Sequence, residues 1–575
     1  MLRRSISALA TSSSSSSSSS AAGAATRRAD VVVIGGGLTG CLVASRLAQE
    51  NLTTVLLEEG VNMTQRPQWE RSLGSALYAH RVMKKGYESE YTTAPQRSFF
   101  EKKPDAQNGD EVGEPVKIRV PKLLGGSGIM GSKSWLFGDT HHDWEGTPWN
   151  YRLDIAPRVQ RFESLEVTQP HRGKYGKFPV TRATALSPCY RSFSAAMNTH
   201  VPLTSTFNRK DGVLQAGCGR PEVFVDPTYR TAHQTLDGYL MQTVKLQRPV
   251  HLQCNARVTQ ISGNGKGKAT HVTYTDKDGA VQTLEASSFV LAAGSIGSTK
   301  LACASSQSLF GAESSTSANP AIGQGFWDCP SVTLQFQGKD TLMSHNCFAD
   351  KVVQFMSFLA MKIGFAPPAL SSSYDDLVAF WSSTDSTTDI PNIKFIIQPF
   401  TLDGAGNLPA SMMTSGSTNP HGFQIVIQLM RPKSVGSITA SSVNPNYFAV
   451  EEDRVALQKG VDLIKGLVKS QAFLQVVARN GEPIAELFES RGILGGGLCG
   501  GTAVDAANFL MKGTDNVYVC DGSILPKPIL GDRMPALMAL ADKFADRYLN
   551  KTEVTAKVDA VDSRDIGSNE VKILY

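Results

Sequence analysis

The 575-residue chain is 41% hydrophobic and 19% charged, ordinary proportions for a globular protein with room for two large domains or one discontinuous pair. Its 57 Lys and Arg nearly balance 52 Asp and Glu, and once Arg3, Arg4, Arg27 and Arg28 are set aside no basic excess of the kind that grips nucleic acid remains. No eighteen consecutive apolar residues occur, so no membrane-spanning helix is expected, although surface association stays open. Nine scattered cysteines without a C-x-x-C pair argue against a disulfide framework and against a zinc site, and no metal is expected.

From the N-terminus, residues 1–28 are basic, serine-rich and free of acids, which is transit-peptide composition; their apolar centre, Ile6 to Ala10, is too short for a secretory signal. Mitochondrial import is the expectation, with a plain disordered tail as the alternative, and the segment is kept out of the fold. Residues 29–60 then read as a β-branched strand, a Gly35-x-Gly37-x-x-Gly40 turn, a helical pattern and a second strand ending at Glu58. This is a dinucleotide-binding βαβ unit. The glycines let the backbone turn tightly and approach a pyrophosphate, which sits on the helix N-terminus where unpaired N–H groups favour an anion. Glu58 is placed to accept hydrogen bonds from the hydroxyls of an unphosphorylated ribose.

Three later segments repeat the theme. Val120 to Ser132 packs four glycines into a loop that brings backbone close to something, read either as a tight structural loop or as a cofactor contact through Gly125, Gly126 and Ser127. Ser288 to Leu301 reads as a buried strand, a small-residue turn and a helix start; with the β-rich stretch Val250 to Leu284 it predicts strands returning to the first sheet. Asp515 to Pro526 reads as a strand closed by Asp521-Gly522-Ser523, an acid with small residues suited to a phosphate or ribityl chain, followed by a helix from Pro535 to Leu549. Between them, Ile390 to Leu402 and Phe423 to Ile438 predict strands, while residues 403–420 are a Gly-, Ser-, Asn- and Pro-rich loop.

With these segments in order, the chain resembles a glucose-methanol-choline oxidoreductase, a flavoprotein family using FAD. Similar positions also appear in Tyr91-Thr92-Thr93-Ala94-Pro95-Gln96, Leu124-Gly125-Gly126-Ser127, Gly173-Lys174-Tyr175-Gly176-Lys177-Phe178-Pro179-Val180, Ala293-Gly294-Ser295-Ile296-Gly297-Ser298, Ile322-Gly323-Gln324 through Asp328, and Arg431-Pro432-Lys433-Ser434-Val435-Gly436. The resemblance implies an α/β fold: a discontinuous FAD-binding dinucleotide fold with an inserted substrate domain built on a mainly antiparallel sheet. The boundaries it implies are 29–310 for the first FAD-binding part, with substrate-domain segments near 150–185, then 311–490 for the substrate domain, 491–549 for the C-terminal FAD-binding part and 550–575 for a tail. That tail reads as frayed, with docking of a partner as the alternative. Val258 resembles the family position whose backbone meets adenine. Gly131 stands where the family usually has an asparagine, and no histidine lies within Leu123 to Phe137 to attach the flavin covalently.

The resemblance also implies a histidine in an H-x-x-G-G-T motif and a His or Asn just before a proline in the last helix. Hydride leaves an alcohol carbon only as the hydroxyl proton is removed, so a base with a near-neutral pKa lowers the barrier. Here Gly497 and Met534 occupy those two positions, and the ten histidines end at His421. Three substitutes are available: Asp532 and Arg533 beside the second position, Cys499 as a thiol near the flavin or merely a buried neutral cysteine, and His345 or His421 from the substrate domain. His141 and His142 read as solvent-facing.

The leading reading is a mitochondrial oxidoreductase that holds FAD non-covalently and oxidises a CH–OH group of a small-molecule hydroxyl substrate with an altered base. The alternative is a catalytically silent FAD-fold scaffold, a subunit of a mitochondrial assembly with protein partners. A third reading, base-free flavin chemistry such as light-driven decarboxylation with Arg533 on a carboxylate, has no positive residue signature. The electron acceptor stays open.

Overall fold

The computed structural model describes residues 28–62, 64, 87–100, 113–130, 133–165, 169, 171–183, 187–224, 235–311, 319–339, 356, 359, 375–384, 390–401 and 422–551. Residues 1–27, Gly131, His345, the 403–420 loop, His421 and the residues beyond 551 lie outside them.

Two large sheets organise the molecule. Among the described residues the first has nine strands. Its centre is parallel: Val517–Val519, Val281–Leu291, Arg28–Ile34, Thr54–Glu58 and Val250–Cys254 lie side by side in that order. Val31, Val32, Val33 and Ile34 are fully buried because both faces of a parallel sheet are covered, which is why their run is continuously apolar and does not alternate. Antiparallel strands extend the sheet past the edge of Val281–Leu291 that faces away from Arg28–Ile34, through Ala269–Thr275 with Arg257–Gly263 along its first half, and beyond Val517–Val519 through Leu510–Met511 with Val504–Asp505. The helix Leu38–Gln49 returns the chain from the first strand to the second and packs against the last helix, Arg533–Tyr548. Arg46 there bonds Asp546 at 2.6 Å and pairs with Asp542, and Arg158, wholly buried, reaches Asp546 at 3.0 Å.

Among the described residues the second sheet has eight strands, all paired antiparallel, and spans Gly217–Gly219, Gln324–Gln337, Val378–Trp381, Ile393–Gln398, Gly422–Leu429, Gly436–Ile438, Val443–Asn444 and Ala485–Gly495. One of its strands thus comes from within 29–310, and another runs past residue 490. Residues near 150–185 form a separate small sheet, Glu163–Leu165 with Phe178–Arg182 and Glu222–Val223, that shares the core of the first sheet.

The two faces of the second sheet differ in chemistry. On one, Val332, Leu334, Phe336, Ile393, Phe395, Ile397, Phe423, Ile425 and Ile427 bury themselves with Leu457, Val461 and Ile464 of the helix Glu451–Leu467. Each such side chain contributes roughly 1.5–3 kcal/mol of burial. On the other, Ser331, Gln335, Lys394, Gln398, Gln424 and Gln428 are equally buried although polar. This second face looks toward the first sheet's C-terminal edge, and a cavity lies between.

Candidate functional site

The cavity measures about 1100 Å³, slightly above the roughly 300–1,000 Å³ usual for ligand pockets. One end is built on the first strand's exit. Gly35 takes φ +105°, and a Cβ there would stand 2.5 Å from the Ala292 carbonyl oxygen; only glycine fits. Gly40 lies in the first turn of the helix, where a Cβ would meet the Gly35 carbonyl oxygen at 1.9 Å, so strand and helix close on each other. Gly37 caps that helix without a side-chain bond. Its first N–H groups therefore face the cavity as anion donors.

Glu58 ends the second strand. Its two carboxylate oxygens accept from the Gly36 and Gly60 N–H groups, each at 2.7 Å. Burial pushes its carboxyl up, and those two backbone bonds pull it down. Val258 lines the same end, following Ala256, whose N–H donates to the Glu58 carbonyl at 2.8 Å.

The glycine-rich loop docks on the turn, backbone to backbone: the Gly125 N–H donates to the Gly36 carbonyl at 2.7 Å, and a Cβ on Gly126 would meet the Gly37 α-carbon at 2.9 Å. Gly126 and Ser127 line the cavity; Gly125 and Gly40 stand behind the lining and set its shape. On the opposite wall, buried Asp521 accepts from the Gly294 N–H at 2.9 Å, the Ser298 hydroxyl at 2.5 Å and the Ser523 N–H at 2.9 Å. It fixes the start of the helix Gly294–Phe310, and Gly522 beside it faces the cavity. The cradle of close backbones, helix N-termini and a ribose-competent acid fits an adenine dinucleotide.

The far end is closed by the last helix and by the polar face of the second sheet. Asp532 caps the helix Arg533–Tyr548. One of its oxygens accepts from the Leu136 N–H at 3.0 Å and the other lies 3.9 Å from the Lys394 ammonium. Burial pushes its carboxyl up to about 6, against the opposing pull of Lys394. Asp143, beneath this segment, accepts from the Leu530 N–H at 3.0 Å and the Gly531 N–H at 3.3 Å and so holds the backbone that presents Asp532. Arg533 also lines the cavity, but its guanidinium donates to the Leu494 carbonyl and, at 2.9 Å, to the Gly492 carbonyl. Met534 lines the wall next to it.

Cys499 is not among the cavity's lining residues. It is buried with its sulfur 3.7 Å from the Gln324 and Gly325 carbonyl oxygens, and burial raises its thiol pKa, which suits the neutral-cysteine reading and not a thiolate. Gly497 is also off the lining: its carbonyl accepts from the Gly323 N–H at 2.7 Å, and Leu498 and Gly500 bond the carbonyls of Ser523 and Ile524. His141 and His142 are exposed. Among the described residues no group of three His, Cys, Asp or Glu is placed to hold a metal, and no helix is long and apolar enough to cross a membrane.

Residues that the sequence reading passed over complete this end. Lys133, Asp375, Lys394, Gln398 and Gln428 all line it. The Lys133 ammonium donates to the Gly128 and Ile129 carbonyls at 3.1 and 2.6 Å, and burial lowers its pKa to about 7.

A family model described as GMC oxidoreductase matches residues 432–541. The oxygen-dependent choline dehydrogenase of Escherichia coli O45:K1 is 23% identical over 561 positions, covering 90% of this chain and 93% of that protein; that of Staphylococcus xylosus is 24% identical over 558, covering 89% and 93%. Among solved structures, pyridoxine 4-oxidase from Mesorbium loti superposes with a TM-score of 0.69 at 18% identity, covering 91% of this chain and 100% of that one. Formate oxidase from Aspergillus oryzae superposes with a TM-score of 0.73 at 18% identity, covering 91% and 98%. The C-terminal family match, the relatives that are similar over 90% of the chain and the shared fold all liken this chain to the glucose-methanol-choline (GMC) oxidoreductases.

Proposed function

We propose that this protein is an FAD-dependent oxidoreductase that acts on a CH–OH group, holds its flavin non-covalently and uses Asp532 in place of the usual histidine. The observation that carries the proposal is the continuity of the cavity, which runs from Glu58 and the glycine turn to Asp532 without interruption. FAD, when bound, supplies the acceptor for the hydride. The chain does the rest: Gly35, Gly37 and Gly126 admit the pyrophosphate, Glu58 takes the ribose hydroxyls, and Asp532 receives the proton of the substrate hydroxyl. A carboxylate raised to about 6 is ionised at neutral pH, yet more basic than an ordinary aspartate.

The absence of a histidine from Leu123 to Phe137 supports non-covalent attachment. Choline, pyridoxine and formate in the relatives' names have little in common, so none is carried over as substrate. A cavity that continues past the nucleotide end to charged groups supports turnover over the scaffold reading. The composition of residues 1–28 supports mitochondrial import.

The test is the visible spectrum of the purified protein, with flavin released by acid precipitation, identified and counted. Near-stoichiometric released FAD, bleached anaerobically by a member of a hydroxyl-compound panel, is the expected result. A colourless, folded protein that refuses added FAD overturns the proposal.

A further inference from the structure

Lys394 and Gln428 stand directly opposite each other on adjacent strands, on the sheet face that lines the cavity. Gln428 is 0% exposed, yet neither its amide nitrogen nor its amide oxygen has a hydrogen-bond partner. Buried side-chain polar atoms are normally paired, so an amide without partners at either atom, on a residue that lines the cavity, suits a group that enters there. Lys394 is 4% exposed, and its one ion pair among the described residues is the 3.9 Å approach to Asp532. Most other charged groups at this end are committed elsewhere, Lys133 and Arg533 to backbone carbonyls and Glu489 to Thr333 and Arg491; Asp375 also lines it, where its charge acts on both Lys133 and Asp532.

Opposed residues on neighbouring antiparallel strands have Cβ atoms about 4.5–5.5 Å apart, so one small group can touch both. The ammonium and the amide NH₂ ask for acceptors; the amide oxygen and the Asp532 carboxylate ask for an O–H donor. A carboxylate with a hydroxyl on the neighbouring carbon supplies both sets within one small molecule. We infer that Lys394 and Gln428 form a carboxylate subsite and that the substrate is an α-hydroxy acid whose hydroxyl faces Asp532. This rests on the proposed oxidation of a CH–OH group in the same cavity.

The probes are glycolate, L-lactate and D-lactate, titrated calorimetrically into the purified protein beside ethylene glycol, which has the hydroxyls and lacks the carboxylate. At least one acid should bind one-to-one and at least ten-fold more tightly than the diol. Lys394→Met and Gln428→Leu should each weaken it at least ten-fold while bound flavin, read from the visible spectrum, stays unchanged. Equal binding of acid and diol by the unaltered protein overturns the subsite even where a variant fails to fold, and so does a flavin-loaded protein that binds none of the three acids. A colourless protein that binds glycolate through Lys394 supports the subsite and overturns the flavin reading, so the two failures are separable.

Discussion

Gly497 lies against Thr299 with no room for a side chain: a Cβ at residue 497 would stand 2.4 Å from the Thr299 hydroxyl oxygen, on backbone held at φ +96°. The position where the resemblance implies a histidine is therefore shaped around its absence. Gly497→His should fail to restore a base. It should cost about 1–3 kcal/mol for the left-handed backbone alone, before the collision with Thr299 is counted. A thermal melt should show the loss, with no gain in flavin reduction.

Asp532→Asn keeps the shape of the helix cap and removes the proton acceptor. Flavin reduction by a hydroxyl substrate should slow by roughly 10²- to 10⁴-fold. In the unaltered protein the rate should rise with pH through about 6, where the carboxylate ionises, and level off above it. Stopped-flow reduction across pH reads both effects; a variant that keeps the rate and the profile removes Asp532 from the chemistry.

Glu58→Ala strips the Gly36 and Gly60 N–H groups of their acceptor and takes the carboxylate from the ribose. With about 1–3 kcal/mol at stake, FAD affinity should fall on the order of 5- to 150-fold. Titration of FAD into flavin-stripped protein measures it.

Much of this was legible beforehand, for a physical reason. The nucleotide end depends on glycines at fixed offsets and on an acid at a strand end, and such local constraints survive in one dimension. Glu58 ends the second strand, Asp521 caps the short turn Gly522–Ile524, and Val258 lies in the strand Arg257–Gly263. The substrate end depends on which strand faces which. Lys394, Ile396 and Gln398, with Gln424, Val426 and Gln428 opposite, share one face at a period of two. Polar residues recurring at that period inside an apolar run were the available signal, but only the folded chain brings Lys394 among them to Asp532. Cys499 is the reverse case, since a sequence neighbour of the expected base is carried behind the wall by its loop.

Asp143 should impose a pH dependence on stability. Burial pushes its carboxyl from an ordinary 3.8 to about 7. Between those values the folded state binds more protons than the unfolded one, so this contribution to stability falls as pH rises from about 4 to about 7. Asp328 and Asp532, both raised to about 6, act with the same sign. The melting temperature should decline from pH 5 toward pH 8, and Asp143→Asn should flatten part of that slope.

The first strand and its flanking helix wait for the end of the chain. Strand Arg28–Ile34 gains one neighbour at once, but the Val281–Leu291 strand on its other side arrives some 250 residues later, and the Val517–Val519 strand beyond that later still. Among the described residues, Arg46 and Arg158 are neutralised only by Asp542 and Asp546 on the final helix. A ribosome making this protein thus releases a nucleotide half that stays unfinished until the last turns of that helix emerge, and non-local closure of this kind is slow. A premature stop in that helix would leave Arg158 as an unpaired charge inside the core. Such a product should be cleared by proteases as misfolded, however complete its nucleotide signature.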